Sequence, residues 1–119
     1  MKTTIKTIEN LMANGGNWSE AGINPTFGQA YIYSAEAGNE LINFDGAIWD
    51  YEIEEILENC QKHGVKEFTI SSGFSSLIEI LDKLSEQGCE IEGLVKINST
   101  RKDYSTGKLK TIPALKISL

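Results

Sequence analysis

Asp50, Glu54 and Glu58 recur at every fourth residue, so on a helix their carboxylates share one face; Glu52 and Glu55 extend the polar surface to its other flank. Carboxylates can hold magnesium for phosphodiester cleavage, but metal catalysis needs ligands that converge on one ion from several directions. Acids spread along one helix face diverge, so no catalytic residue and no metal ligand is assigned to them. Such a row of negative charge can meet a basic groove, or take the place of a phosphate backbone, with complementarity setting encounter rate and orientation. A solvated helix face is the plain structural reading of the same residues. Like charges four apart repel, and Lys62 can relieve Glu58 while Asp50 and Glu54 have no such local partner.

The opposite charge is gathered at the other end of the chain. Nine acids and two bases fall between Glu36 and Glu67, whereas Leu94 to Leu119 holds six bases and one acid. Arg101, Lys102, Lys108 and Lys110, with Tyr104 near the first two, describe a basic hairpin able to contact RNA through phosphates and stacking. Lysines on a terminal strand also protect a sheet edge from pairing with other chains, which accounts for Lys108, Lys110 and Lys116 without any ligand.

Other reactive residue types lack partners in the sequence. Ser71 to Ser76 (SSGFSS) turns from a strand into a helix and exposes backbone N–H groups, yet it matches neither the P-loop nor the nucleophile-elbow pattern. His63 precedes Gly64 at a helix end, where a protonated ring interacts favourably with the helix dipole. Cys60 and Cys89 have no metal-site spacing and fit buried packing positions. Trp18, Phe27, Tyr31 and Tyr33 suit packing on a sheet. No cofactor is expected.

Composition sets the frame for these groups. The 119 residues are 40% hydrophobic and 24% charged, as in one folded domain over 1–119. The formal net charge of −6 and a pI near 4.8 argue against broad nucleic-acid binding by the whole molecule while leaving room for a local basic site. The N-terminus lacks an apolar leader core, and no apolar run approaches a membrane span; a cytoplasmic domain with reduced thiols and no membrane partner is the expectation.

Residues 4–13 form a helix by the spacing of Ile5, Ile8, Leu11 and Met12, with Thr4 as N-cap. Residues 17–28, with Asn24-Pro25, read as a loop. A strand at 29–34, a hairpin turn at 36–39 and a strand at 41–45 follow. Trp49, Ile53, Ile56, Leu57 and Cys60 place a helix over 48–63. Residues 66–71 are a strand, Ser76 and Glu79 form a capping box opening a helix that Gly88 ends, and 90–98 is a strand. A polar loop at 99–107 leads to a last strand at 108–118, in which Pro113 disfavours a central position. The order helix-strand-strand-helix-strand-helix-strand-strand predicts an α+β fold: a mixed five-stranded sheet with the two main helices on one face.

The segments GVKEFTISSGFSSLIEILDKLSEQGCEIEGLVKIN and TGKLKTIPALKISL resemble small proteins carried by plasmids, phages and integrative elements of Gram-positive bacteria, among them anti-CRISPR proteins that inhibit the type II CRISPR effector nuclease. The likeness spans about residues 28–119 and transfers no functional residue. It implies inhibition either by occupying the nuclease's guide-RNA or DNA groove or by acting on the guide RNA; the reading taken is a non-enzymatic inhibitor whose partner is the effector nuclease or its guide-RNA complex, acting on guide loading or DNA engagement. Such a nuclease holds its heteroduplex in a positively charged channel, which suits Asp50, Glu54 and Glu58. Two alternatives stay open: an RNA-binding module using Arg101, Lys102, Lys108 and Lys110, and a metal-dependent nuclease acting on guide RNA.

Overall fold

The computed structural model describes residues 1–102, 107 and 109–119, with side chains described for all of these except 100–102 and 109. In chain order the elements are α1 (Lys6–Asn14), α2 (Pro25–Glu36), β1 (Ile42–Phe44), a 3-10 turn (Asp50–Glu52), α3 (Ile53–Lys62), β2 (Glu67–Ile70), α4 (Leu77–Glu86), β3 (Glu90–Lys102) and β4 (Leu109–Ser118). The fold is α+β, and among the described residues the mixed sheet has four strands, not five.

The missing strand is residues 29–34, which lie within α2. Its start is set by Asn24, whose side chain accepts a hydrogen bond from Phe27 N at 3.0 Å, and by Pro25, which occupies the first turn where no N–H is needed. Phe27, Ala30, Tyr31 and Ser34 then fall at i, i+3, i+4 and i+7 and are all buried. The aromatic content of the segment suits a strand, but the helical period of its buried face decides the outcome. Residues 36–39 accordingly close a helix instead of turning a hairpin.

β1 and β2 pair in parallel across α3, as a strand-helix-strand unit requires. The second unit, β2-α4-β3, is split: β4 lies between its strands and pairs antiparallel with both, giving the order β1-β2-β4-β3. β4 is therefore central, against the expectation from Pro113. The register explains the tolerance. β2 reaches only from Ser118 to Leu115 of β4, whereas Pro113 lies beyond it, opposite Lys96 of β3, with a strand on one side alone. Residues 99–102, expected in a loop, continue β3.

Ile42, Phe44, Phe68, Ile70 and Ile117 share one face of the sheet, with Phe44 and Phe68 edge to face at 5.3 Å. Ile53, Ile56 and Cys60 of α3, Ile80 and Leu84 of α4, and Phe27 and Tyr31 of α2 complete the same core. α1 has no side-chain cap: its N-cap is Ile5, not Thr4. It is tied down instead by Tyr31, whose hydroxyl accepts from Ile5 N and donates to Glu9, each at 3.1 Å.

α2 and the turn after it also seal the two outer strands. Asn43 N of β1 donates to Ser34 Oγ at 2.8 Å. At β3, the Asn39 side chain donates to Asn98 O and accepts from Asn98 N, both at 2.8 Å, imitating a strand partner. These contacts occupy edge groups that would otherwise template pairing with another chain. Among the described residues no helix is long and apolar enough to cross a membrane.

Candidate functional site

The five acids around α3 divide into two kinds. Glu52 is 5% exposed and belongs to the interior. Its carboxylate accepts from Thr26 Oγ1 at 2.5 Å, Asn24 Nδ2 at 3.3 Å and Trp49 N at 3.2 Å. Glu55 accepts from Asn24 Nδ2 at 2.7 Å. Asn59 completes the junction by accepting from Asn24 N at 2.8 Å and donating to Gly22 O at 3.1 Å. These bonds lock the start of α2 to the 3-10 turn and α3, with buried Glu52 and exposed Glu55 both used as acceptors for Asn24.

Glu54 and Glu58 are exposed on α3, and neither forms an ion pair among the described residues; Lys62 is not bridged to Glu58. Asp50 stands in the 3-10 turn ahead of α3, so the three do not continue one α-helical row as the spacing predicts. It is exposed and paired with Lys83 of α4 at the surface. Trp49, expected on the apolar helix face, precedes that turn and is 57% exposed; Tyr51 is 78% exposed. The acid-rich surface thus carries two aromatics beside Asp50.

The basic end is described only in part. Arg101 and Lys102 lie in β3, their side chains outside the described residues, as is Lys108 altogether, and Tyr104 with it. Lys110 is exposed on β4. Lys116 is engaged internally, 2.6 Å from Glu67 and 3.4 Å from Glu92, and Lys2 reaches Glu67 at 3.5 Å. The Lys116 hydrogen bond and charge, with Lys2, hold the Glu67 carboxyl below its ordinary value; the same pairing with Glu67 raises Lys116. Lys116 thus neutralises acids of its own sheet.

The Ser71–Ser76 turn is used locally. Ser71 Oγ donates to Asp45 at 3.0 Å and accepts from Asn43 Nδ2 at 2.9 Å, and Asn43 in turn accepts from Thr69 Oγ1 at 2.8 Å. Ser76 makes no side-chain cap, so the expected capping box does not form. His63 caps α3, but burial, followed by the charge of Lys62, lowers its pKa; this opposes the protonated role expected from the helix dipole. Its Nε2 is buried without a hydrogen-bond partner among the described residues. Cys60 and Cys89 are free and buried, and burial, with the neighbouring Cys89, pushes the Cys60 thiol up to about 12. A thiol held protonated in this way is a poor nucleophile.

Among the described residues, no three His, Cys, Asp or Glu side chains are grouped to hold a metal ion. A cavity of about 570 Å³ opens between α2 and the loop after β1, with Gln29, Tyr33, Glu36, Asn43 and Asp45 in its wall. Sequence reasoning misses it because it places residues 29–34 in a strand. A second groove of about 570 Å³ has Glu54 and Glu58 in its lining.

The family model described as "Domain of unknown function (DUF7698)" matches residues 26–119, and the chain belongs to that family. No curated protein and no solved structure matches it.

Proposed function

We propose that this domain is a non-enzymatic inhibitor that docks on the basic surface of a nucleic-acid-handling protein through Asp50, Glu54 and Glu58. The sequence resemblance supplies the partner class: a type II CRISPR effector nuclease, engaged before or in place of its guide RNA or DNA. The observation that carries the reading is the contrast among neighbouring acids of the 3-10 turn and α3. Glu54 and Glu58 are exposed and unpaired among the described residues, while Glu52 and Glu55 are consumed in fixing α3 against α2. The free carboxylates therefore stand on a rigid support, and little side-chain-bearing backbone has to be ordered on binding. Asp50 joins them at small cost, because an exposed ion pair such as that with Lys83 contributes about 0–1 kcal/mol and is readily exchanged for a partner's cation. Trp49 and Tyr51 add exposed aromatic area of the kind that dominates protein interfaces.

The test is order of addition. The chain is mixed with guide-free nuclease, with guide RNA alone and with the preformed complex, and binding and subsequent guide loading are read by gel shift and size exclusion. Binding to the guide-free nuclease with loss of guide loading is expected. Binding to RNA alone, indifferent to the nuclease, or shortening of the guide in magnesium would refute the reading.

A further inference from the structure

α3 and α4 end in the same way. Gly64 follows α3 at φ 72°, and Val65 N donates back to Cys60 O at 2.8 Å. Gly88 follows α4 at φ 92°, and Cys89 N donates back to Leu84 O at 3.0 Å. Each is a left-handed glycine stop followed by a buried side chain that leads into a strand. The groove of about 570 Å³ noted above lies between these two junctions. Leu57, Val65, Cys89 and Leu119 give it apolar walls, and Glu54 and Glu58 stand in the same lining, one helical turn apart.

The electrostatics of this groove are directional. The lining holds the carboxylates of Glu54 and Glu58, neither in an ion pair among the described residues, and one cation, Lys66. The C-terminal ends of α3 and α4 both reach the groove, and helix C-termini carry partial negative charge. A purely apolar occupant would leave the carboxylates without partners, and a purely cationic one would leave the walls wet. A groove of this volume is in the range that takes one or a few side chains.

We infer that this groove seats a short protein segment in which an apolar side chain is flanked by lysine or arginine, the apolar group against Leu57, Val65 and Cys89 and the cations at Glu54 and Glu58. The inference rests on the acidic-face reading and deepens it: the carboxylates attract any basic surface, and the groove selects among them by the apolar residue.

The probe is a short peptide alternating leucine with lysine and arginine, titrated into the ¹⁵N-labelled full chain. Two control peptides replace either the leucines by serine or the cations by glutamine. Amide shifts are expected at Gln61, Gly64, Val65, Gly88 and Cys89 with the first peptide and not with the controls. E54Q/E58Q should weaken the peptide by about tenfold. Q61W, at an exposed position in the lining, should block it while keeping the parent's amide dispersion. Equal shifts from the serine peptide, shifts confined to other surfaces, or no shifts at all would overturn the inference. The two readings fail separately. If no peptide enters the groove but the nuclease still binds and loses affinity on D50N/E54Q/E58Q, the groove is wrong and the docking face stands. If the peptide binds there and the nuclease does not, the converse holds.

Discussion

Replacing Glu52 and Glu54 one at a time by alanine should give very different results, although only Ile53 separates them and both look alike in the sequence. Glu52→Ala removes the acceptor of three hydrogen bonds, to Thr26 Oγ1, Asn24 Nδ2 and Trp49 N. Asn24 Nδ2 keeps its bond to Glu55, so one donor stays satisfied. Trp49 N loses its cap, and the half-buried Thr26 hydroxyl must find water. Bonds to a charged acceptor are worth about 1.5–3 kcal/mol each and are not additive, so two losses together with a small cavity amount to about 3 kcal/mol. In a domain of this length that lowers Tm by about 10 °C. Glu52→Gln keeps the volume but turns an NH₂ toward the donors, and should cost about 1–2 kcal/mol. Glu54→Ala, on the exposed face, should stay within about 0.5 kcal/mol of the parent. Urea unfolding followed by circular dichroism measures all three. An E52A variant as stable as E54A would show that the carboxylate does not hold α2 to α3, and the division of the acids into internal and free would fall with it.

Asn39→Ala should destabilise by about 1–2 kcal/mol, because Asn98 N and O lose their side-chain partner at the β3 edge; hydrogen exchange at Asn98 should rise with it. Gly28→Ala places a Cβ 2.5 Å from the Trp18 ring and must displace it, so a loss of about 1 kcal/mol and a red-shifted tryptophan emission are expected in place of the usual helix-propensity gain. His63 has a folded pKa below its ordinary 6.5, so the unfolded chain binds the proton first. Stability should therefore fall as pH drops through 6.5 toward the lowered folded value, and His63→Gln should flatten that part of the profile, read by urea midpoints at each pH. Native Cys60, with its thiol pushed up to about 12, should resist Ellman's reagent at neutral pH until the chain is unfolded.

The parts of the fold legible in the sequence are those where one signal dominates. α3 and α4 show apolar residues at helical spacing and a glycine stop; α4 forms close to its expected place, and α3 ends where expected but starts at Ile53, behind a 3-10 turn, and not at residue 48. β1 and β2 are short apolar runs between turn residues, and the parallel pairing follows from the helix between them. α2 is where two signals compete. Asn24-Pro25 marks a helix start as well as a turn, and Tyr31-Ile32-Tyr33 has strand propensity; burial of Phe27, Ala30, Tyr31 and Ser34 on one side settles the conflict, and burial is a tertiary property. The central place of β4 is likewise hidden, because no local feature of β4 states that β2 stops short of Pro113.

The candidate site shows the same limit. Spacing marks the carboxylates of α3 but cannot separate Glu52, which faces Asn24 and Thr26 from a distant part of the chain, from Glu54, which faces water. Nor does it show that Lys116 is committed to Glu67 and Glu92. The groove beside Glu54 and Glu58 depends on two helix ends, separated in sequence, arriving side by side.

The docking account is tested most directly by the affinity of D50N/E54Q/E58Q for guide-free effector nuclease, measured beside the parent across a range of salt concentrations. The account predicts weaker binding and a shallower dependence on salt, with the circular dichroism spectrum unchanged. A triple variant that binds as tightly as the parent, with the same salt slope, contradicts it.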